Sequence, residues 1–142
     1  MFSKEESKQL REEFWTSFGK SYPRKWILYN TKIKNLSLKF HFDRKIAMVC
    51  LDLEDDLDSR INRWDKLTQL KGILITEYLP TAVYEDSYFL SNGKEISRIF
   101  VSCVEQVSIH DKGSWGTVMR FLYDTMDKFE SFFLTNRDFI SA

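Results

Sequence analysis

"LSLKFHFDRKIAMVCLDL", residues 36–53, is the stretch of sequence that decides the fold. Its first seven residues alternate between apolar and polar side chains, which is typical of a β-strand with one buried face. The charged residues 43–45 indicate a turn. Residues 46–53 then form a mostly apolar run, which is typical of a strand buried on both faces. We therefore expect a β-hairpin over residues 35–53.

A second hairpin is predicted over residues 82–104. Two β-rich runs in this region flank Asn92 and Gly93. An Asn-Gly pair between two strands favours a tight turn, because both central residues of such a turn need positive φ.

Three further segments have apolar residues at every third or fourth position, which is the spacing of an amphipathic helix. We expect these helices near residues 4–19, 56–78 and 114–134. Ser3 and Glu6 have the spacing of a capping box at the start of the first helix.

The order helix, hairpin, helix, hairpin, helix predicts an α+β fold in a single domain spanning residues 1–142. The expected core is one largely antiparallel sheet of four or five strands covered by three helices. The fifth strand would come from residues 26–29. The alternative is a restriction-endonuclease-like α/β core, whose order of helix, three strands, helix and strand is similar.

The composition is that of a soluble globular protein, with 43% hydrophobic and 30% charged residues. The 21 basic residues balance the 21 acidic ones. A net charge of zero gives no general electrostatic attraction to nucleic acids or membranes. The sequence has no apolar run of membrane-spanning length and no signal-peptide core. We expect a cytoplasmic protein that does not contact the membrane.

Cysteines, histidines and cofactor motifs offer little chemistry. Cys50 and Cys103 lie in apolar, strand-like runs and are expected to be buried and reduced. His41 and His110 are far apart and have no partner at a ligand spacing, so zinc is not expected. Glycine-rich phosphate loops and nucleophile elbows are absent from the sequence. We therefore expect no cofactor and assign no catalytic residues.

Five acidic residues follow closely on one another at the end of the first hairpin: Asp52, Glu54, Asp55, Asp56 and Asp58. A metal-dependent nuclease could use Asp52, Glu54 and Asp56 to bind Mg²⁺, but it also needs a lysine two positions after the glutamate, where this chain has Asp56. The acids also suit the start of the next helix, which Asp55 or Asp56 would cap while the other charges favour the helix dipole. We favour the helix start. A weak metal site, and with it a nuclease or a catalytically decayed relative of one, is the alternative.

Residues 20–34 combine five cations with three aromatic rings and contain no acidic residue. Cations interleaved with stacking rings can bind a nucleic-acid strand or a phosphate group. The candidate binding residues are Arg24, Lys25, Trp26 and Tyr29. The alternative is a loop whose rings dock into the core while its cations stay in water.

Four segments resemble an uncharacterised family of bacterial domains that has about this length and carries only a domain-of-unknown-function label. They are "EEFWTSFG" in the first helix, "LYNTKIKNLSLKFHFDRKIAMVCLDLE" in the first hairpin, "GKEISRIF" in the second hairpin and "SW" at the start of the last helix. Members of that family occur alone or behind nuclease-like domains, so the resemblance implies an accessory role near nucleic-acid processing. The family has no agreed catalytic residues to transfer to this chain.

The sequence and the resemblance together favour a non-catalytic binding or accessory module over an enzyme. The expected partner is a nucleic acid or another protein, and a homo-oligomer is compatible with the composition.

Overall fold

Two hairpins form one sheet in the computed structural model of the chain, which describes residues 2–142. The strands are β1 (Leu36–Phe42), β2 (Ala47–Leu53), β3 (Val83–Phe89) and β4 (Glu95–Ser102). They are ordered β1-β2-β4-β3 across the sheet, and every neighbouring pair is antiparallel. The α+β class and both hairpins are confirmed. The endonuclease-like alternative does not form, because it needs three strands before the second helix and only two are present in this part of the chain.

The helices are α1 (Lys4–Ser21), α2 (Leu57–Gln69), the short α3 (Lys71–Ile73) and α4 (Trp115–Ser141). The predicted helix over residues 56–78 is therefore interrupted near its middle, and it ends in a π-helical turn in which the Leu79 N–H donates to the Leu74 carbonyl. α4 extends seven residues beyond the predicted end at position 134, because Ile140 in its last turn is fully buried. Within residues 2–142, no helix combines the length and the apolar character needed to cross a membrane.

Local hydrogen bonds explain where the first helix begins and how the second hairpin turns. The capping box is confirmed, because Ser3 Oγ accepts from the Glu6 N–H and Glu6 Oε1 accepts from the Ser3 N–H. The prediction of a tight Asn-Gly turn with positive φ at both central residues is wrong. Gly93 has positive φ (88°) but Asn92 does not. The connection takes the five residues between β3 and β4, and Asn92 stabilises it by accepting from the Lys94 N–H.

The predicted fifth strand at residues 26–29 does not form. The backbone of this segment is irregular, and Leu28 has positive φ (48°), which a strand does not allow. One hydrogen bond, from the Leu38 N–H to the Leu28 carbonyl, attaches the segment to the outer edge of β1. Within residues 2–142 the sheet therefore has four strands, with an irregular chain along one edge.

The helices lie against one face of the sheet. Phe14 of α1 contacts both Phe42 of β1 and Trp115 of α4, while Trp64 of α2 contacts Tyr84 of β3. Side chains of β2 alternate, and only those on the helix side belong to the main hydrophobic cluster. The core thus lies between the helices and one sheet face.

The opposite face of the sheet is closed by its own side chains. All seven residues of β2 are buried, as predicted. Cys50 and Asp52, which point away from the helices, are shielded by residues of the neighbouring strands. Burial raises the pKa of the Cys50 thiol to about 12, so this thiol stays protonated at neutral pH. Both cysteines are free thiols, and Cys103 is half-buried rather than buried.

Candidate functional site

Asp52 lies in a buried ion pair on the face of the sheet opposite the helices. Its carboxylate accepts two hydrogen bonds from Arg98 of β4, 2.7 Å from Nε to Oδ1 and 2.8 Å from Nη2 to Oδ2. Lys39 of β1 places Nζ 3.2 Å from Oδ2. Asp52 is completely inaccessible to solvent. Because cations from both neighbouring strands surround it, Asp52 connects three strands electrostatically.

Glu54 extends the same network. It accepts hydrogen bonds from Lys39 (3.1 Å) and from Lys94 (3.2 Å). Burial alone would raise the pKa of Glu54, but the hydrogen bonds from the two lysines lower it below the ordinary glutamate value. Burial alone would likewise lower the pKa of Lys39, and the charge of Asp52 raises it. Acids and cations therefore alternate along this chain of contacts.

Asp56 is the N-cap of α2, and its side chain accepts from the Ser59 N–H at 3.1 Å. This confirms the predicted helix start. Asp55 is buried beside Arg63, at 3.7 Å. Of the three candidate metal ligands, Asp52 and Glu54 share Lys39 as a partner, while Asp56 caps α2. In the described part of the chain, no three His, Cys, Asp or Glu side chains are grouped as metal ligands would be.

Arg24 and Trp26 attach residues 20–34, the basic-aromatic segment, to α4. The Arg24 guanidinium donates to Asp127 (2.7 Å) and Glu130 (3.0 Å) and lies 4.2 Å from the centre of the Trp26 ring. Glu130 also accepts from the Ile27 N–H at 2.6 Å. Burial alone would lower the pKa of Arg24, but the hydrogen bond to Asp127 raises it. The positive charge of Arg24 is therefore compensated within the fold by Asp127 and Glu130.

Lys25 and Tyr29, the other two predicted binding residues, are exposed. Tyr29 has 74% of its surface accessible. It lines a depression of about 260 Å³ together with Trp15 and Lys39. The role of all four residues in binding stays a prediction.

A large cleft, which was not predicted from the sequence, is present among the described residues. It has a volume of about 770 Å³ and lies between the first turns of α1, the β1–β2 turn and residues 109–110. We call it the basic cleft, because five cations line it against two carboxylates, giving a net charge of +3. The cations are Lys4, Lys8, Arg11, Arg44 and Lys45.

None of these five cations forms an ion pair within residues 2–142. Asp43, one of the two carboxylates, already accepts from His41 and from the N–H groups of Lys45 and Ile46. Burial alone would raise the pKa of Asp43, but these hydrogen bonds lower it, with that from the Lys45 N–H first among them. The positive charge of the basic cleft is therefore largely uncompensated.

Two rings form one wall of the basic cleft. Phe2, which is 43% exposed, stacks on His110 with a centroid distance of 4.3 Å. His110 Nε2 and Ser7 Oγ share a hydrogen bond of 2.8 Å, which holds the imidazole against α1. The cleft thus combines unpaired cations with an accessible aromatic face.

Part of this cleft was visible in the sequence. Lys4, Lys8 and Arg11 follow one another at spacings of four and three residues, which places them on one side of a helix. Arg44 and Lys45 belong to a different element, and only the tertiary fold brings their turn beside α1. No spacing of residues in the sequence predicts that contact.

The model of a family described as "Domain of unknown function (DUF4268)" matches residues 10–136 of the 142-residue chain. The chain belongs to the DUF4268 family. No curated protein and no solved structure matches it significantly.

The matched region of this DUF4268 domain contains the whole sheet, the basic-aromatic segment and the acidic cluster. It also contains three of the five cations of the basic cleft, Arg11, Arg44 and Lys45. The family description assigns no activity. What the cleft offers chemically is a set of ammonium and guanidinium donors for an anion, of which phosphate is the common biological case.

Proposed function

We propose that this DUF4268 domain is a non-catalytic binding module that holds single-stranded nucleic acid by its phosphates in the basic cleft. The observation that carries the proposal is the set of five unpaired cations around one cavity in a chain whose net charge is zero. A neutral protein binds a polyanion only where its charge is segregated. The basic cleft is such a place.

The size and the walls of the cleft favour a single strand over a duplex. A volume of about 770 Å³ is that of a small-molecule site. A short stretch of strand fits such a space, whereas a duplex would touch only its rim. The exposed ring of Phe2 offers a surface on which a base can stack, and stacking on an aromatic side chain is a general feature of single-strand binding.

We assign the predicted binding residues a secondary part. The positive charge of Arg24 is compensated by Asp127 and Glu130, so it attracts a phosphate weakly. Lys25 and Tyr29 remain exposed, and we propose them as outer contacts of a longer strand. The accessory role near nucleic-acid processing that the family resemblance implied is part of the same proposal.

Fluorescence anisotropy with a labelled oligothymidylate tests the proposal. Non-specific binding of this kind has a dissociation constant of roughly 10⁻⁴ to 10⁻⁶ M at physiological salt, and its logarithm changes by about 0.7 per phosphate contact for each tenfold change in salt. The double variant Lys8→Ala/Arg44→Ala removes two contacts. At 0.15 M salt this should weaken binding about tenfold and lower the salt slope by about 1.4.

The matched control is Lys34→Ala/Lys128→Ala, which removes the same charge from two exposed lysines outside the cleft and outside any ion pair of the described residues. Equal losses in the two double variants would contradict the proposal, because binding would then depend on total charge alone. Cleavage of the oligonucleotide on addition of Mg²⁺ or Mn²⁺, abolished by Asp52→Ala, would favour a nuclease over a binding module.

A further inference from the structure

The apolar stripe of α2 is only half covered. Leu67 and Leu70 in its C-terminal half are buried in the core. Leu57 and Ile61, which continue the same stripe towards the N-terminus, are 57% and 56% exposed, and Trp64 between the halves is partly buried. Exposed apolar residues that follow a helical stripe are a mark of an interaction surface when they line a groove.

These residues do line a groove, which runs between α2 and the edge strand β3. Its volume is about 420 Å³, and Leu57, Ile61 and Trp64 form its helical wall. β3 is the last strand of the sheet and pairs only with β4 within the described residues. An unpaired strand edge beside an apolar groove is the arrangement that accepts an added strand, with main-chain hydrogen bonds to the edge and side chains in the groove.

The charge of this groove is negative, unlike that of the basic cleft. Asp65, Asp86 and Glu95 line it, and the one lining cation, Arg60, already forms an ion pair with Glu95. Among the described residues, Asp65 has only the neutral side chain of Gln69 as a hydrogen-bonding partner. A ligand that carries Lys or Arg side chains therefore complements the groove.

We infer that the α2–β3 groove binds an extended segment of a partner protein in which apolar residues and Lys or Arg alternate at every second position. That spacing follows from strand geometry, since only side chains two residues apart point to the same side and can enter one groove. A second copy of this chain is disfavoured, because pairing two β3 edges would bring Glu85 and Asp86 of both copies together. This inference does not depend on the proposed nucleic-acid binding.

Fluorescence anisotropy with three labelled peptides tests the inference. The first is VTKTITKT, the second is VTETITET, and the third is VTKTITKT with N-methyl groups on alternate amides. We expect the first to bind saturably and the other two to bind at least about tenfold more weakly, because one lacks the charge and the other lacks main-chain donors. Ile61→Arg should weaken binding of the first peptide by a similar factor.

The matched control is Leu134→Arg on α4, which introduces the same side chain at a site 52% exposed and outside the groove. Its binding should equal that of the wild type. Equal binding of the N-methylated and unmodified peptides would overturn strand addition. Equal losses in Ile61→Arg and Leu134→Arg would overturn the location. Sedimentation showing a wild-type dimer that Ile61→Arg dissociates would overturn the choice of partner, since a second copy would then occupy the groove.

Discussion

Replacing Asp52 with asparagine tests the buried ion pair, which lies on the sheet face opposite the helices. Asparagine keeps the shape of the side chain and removes its charge. Arg98 and Lys39, whose side chains are 8% and 23% exposed, would then lack the central carboxylate between them. We expect the variant to fold but to be strongly destabilised.

The magnitude follows from the contacts. The substitution weakens two charge-assisted hydrogen bonds from Arg98, each worth roughly 1.5 to 3 kcal/mol. Breaking one side of a buried ion pair costs about 3 to 5 kcal/mol, which agrees with that sum. The total stability of a domain is about 5 to 15 kcal/mol. A loss of this size should lower Tm by roughly 9 to 15 °C for a chain of this length.

Urea denaturation, followed by circular dichroism and tryptophan fluorescence, measures the loss. The informative comparison is the apolar pair Asp52→Leu/Arg98→Met. Replacing both members of a buried pair by apolar residues is often neutral or stabilising. A methionine at position 98 would also contact Tyr88, over whose ring the guanidinium now lies at 4.3 Å. We therefore expect the double variant to be much more stable than Asp52→Asn.

Two results would refute this reasoning. A cost below about 1 kcal/mol for Asp52→Asn would mean that the pair contributes no more than an exposed salt bridge. A double variant as unstable as the two single apolar variants added together would mean that Asp52 and Arg98 are not energetically coupled.

Three further predictions concern the acidic cluster and the basic-aromatic segment. Asp56→Ala should lower the free energy of unfolding by about 0.5 to 2 kcal/mol because it removes the cap of α2, with the same loss in EDTA and in excess Mg²⁺ when measured by thermal melts. Glu54 has a lowered pKa in the folded state, so its contribution to stability should be complete above the unfolded value of about 4.3 and disappear as the pH falls through the folded value. Urea titrations from pH 6 to pH 3 should show that loss, and it should be smaller in Glu54→Gln. Glu130→Gln should release residues 22–34, because it weakens the contacts to Arg24 and to the Ile27 N–H, and limited trypsinolysis should then cut at Lys25 sooner than in the wild type.

The elements that the sequence predicted well are those set by local chemistry. The alternation in residues 36–42, the capping box at Ser3 and the cap at Asp56 depend on neighbours within a few positions, and each is found where it was expected. Residues 26–29 have the composition of a strand. Contacts of Arg24 and Trp26 with α4 nevertheless hold this segment in an irregular path.

The features of the candidate site depend on contacts between residues that are far apart in the sequence. No sequence spacing predicts such contacts. In the sequence, Asp52 is one of five acids assigned to a helix start, yet it pairs with Arg98, which lies 46 positions away, and is buried. Leu57 and Ile61 continue the apolar period of the second predicted helix, which favours burial. They are exposed, although Arg60 in the same part of α2 is buried and donates to the Glu95 carbonyl of β4. Periodicity predicts which side of a helix is apolar, but not whether anything lies against it.

The two cysteines differ in accessibility, so their labelling can report how often the domain opens. A thiol attacks a maleimide or a disulfide only as the thiolate, and the buried Cys50, with its pKa raised to about 12, is almost entirely protonated at neutral pH. Cys103 lies half-exposed at the end of β4 and should react first. The second labelling event, counted by mass spectrometry, would require the central strand to separate from its neighbours. Its rate would therefore measure how often the sheet opens in the native protein, without any engineered cysteine.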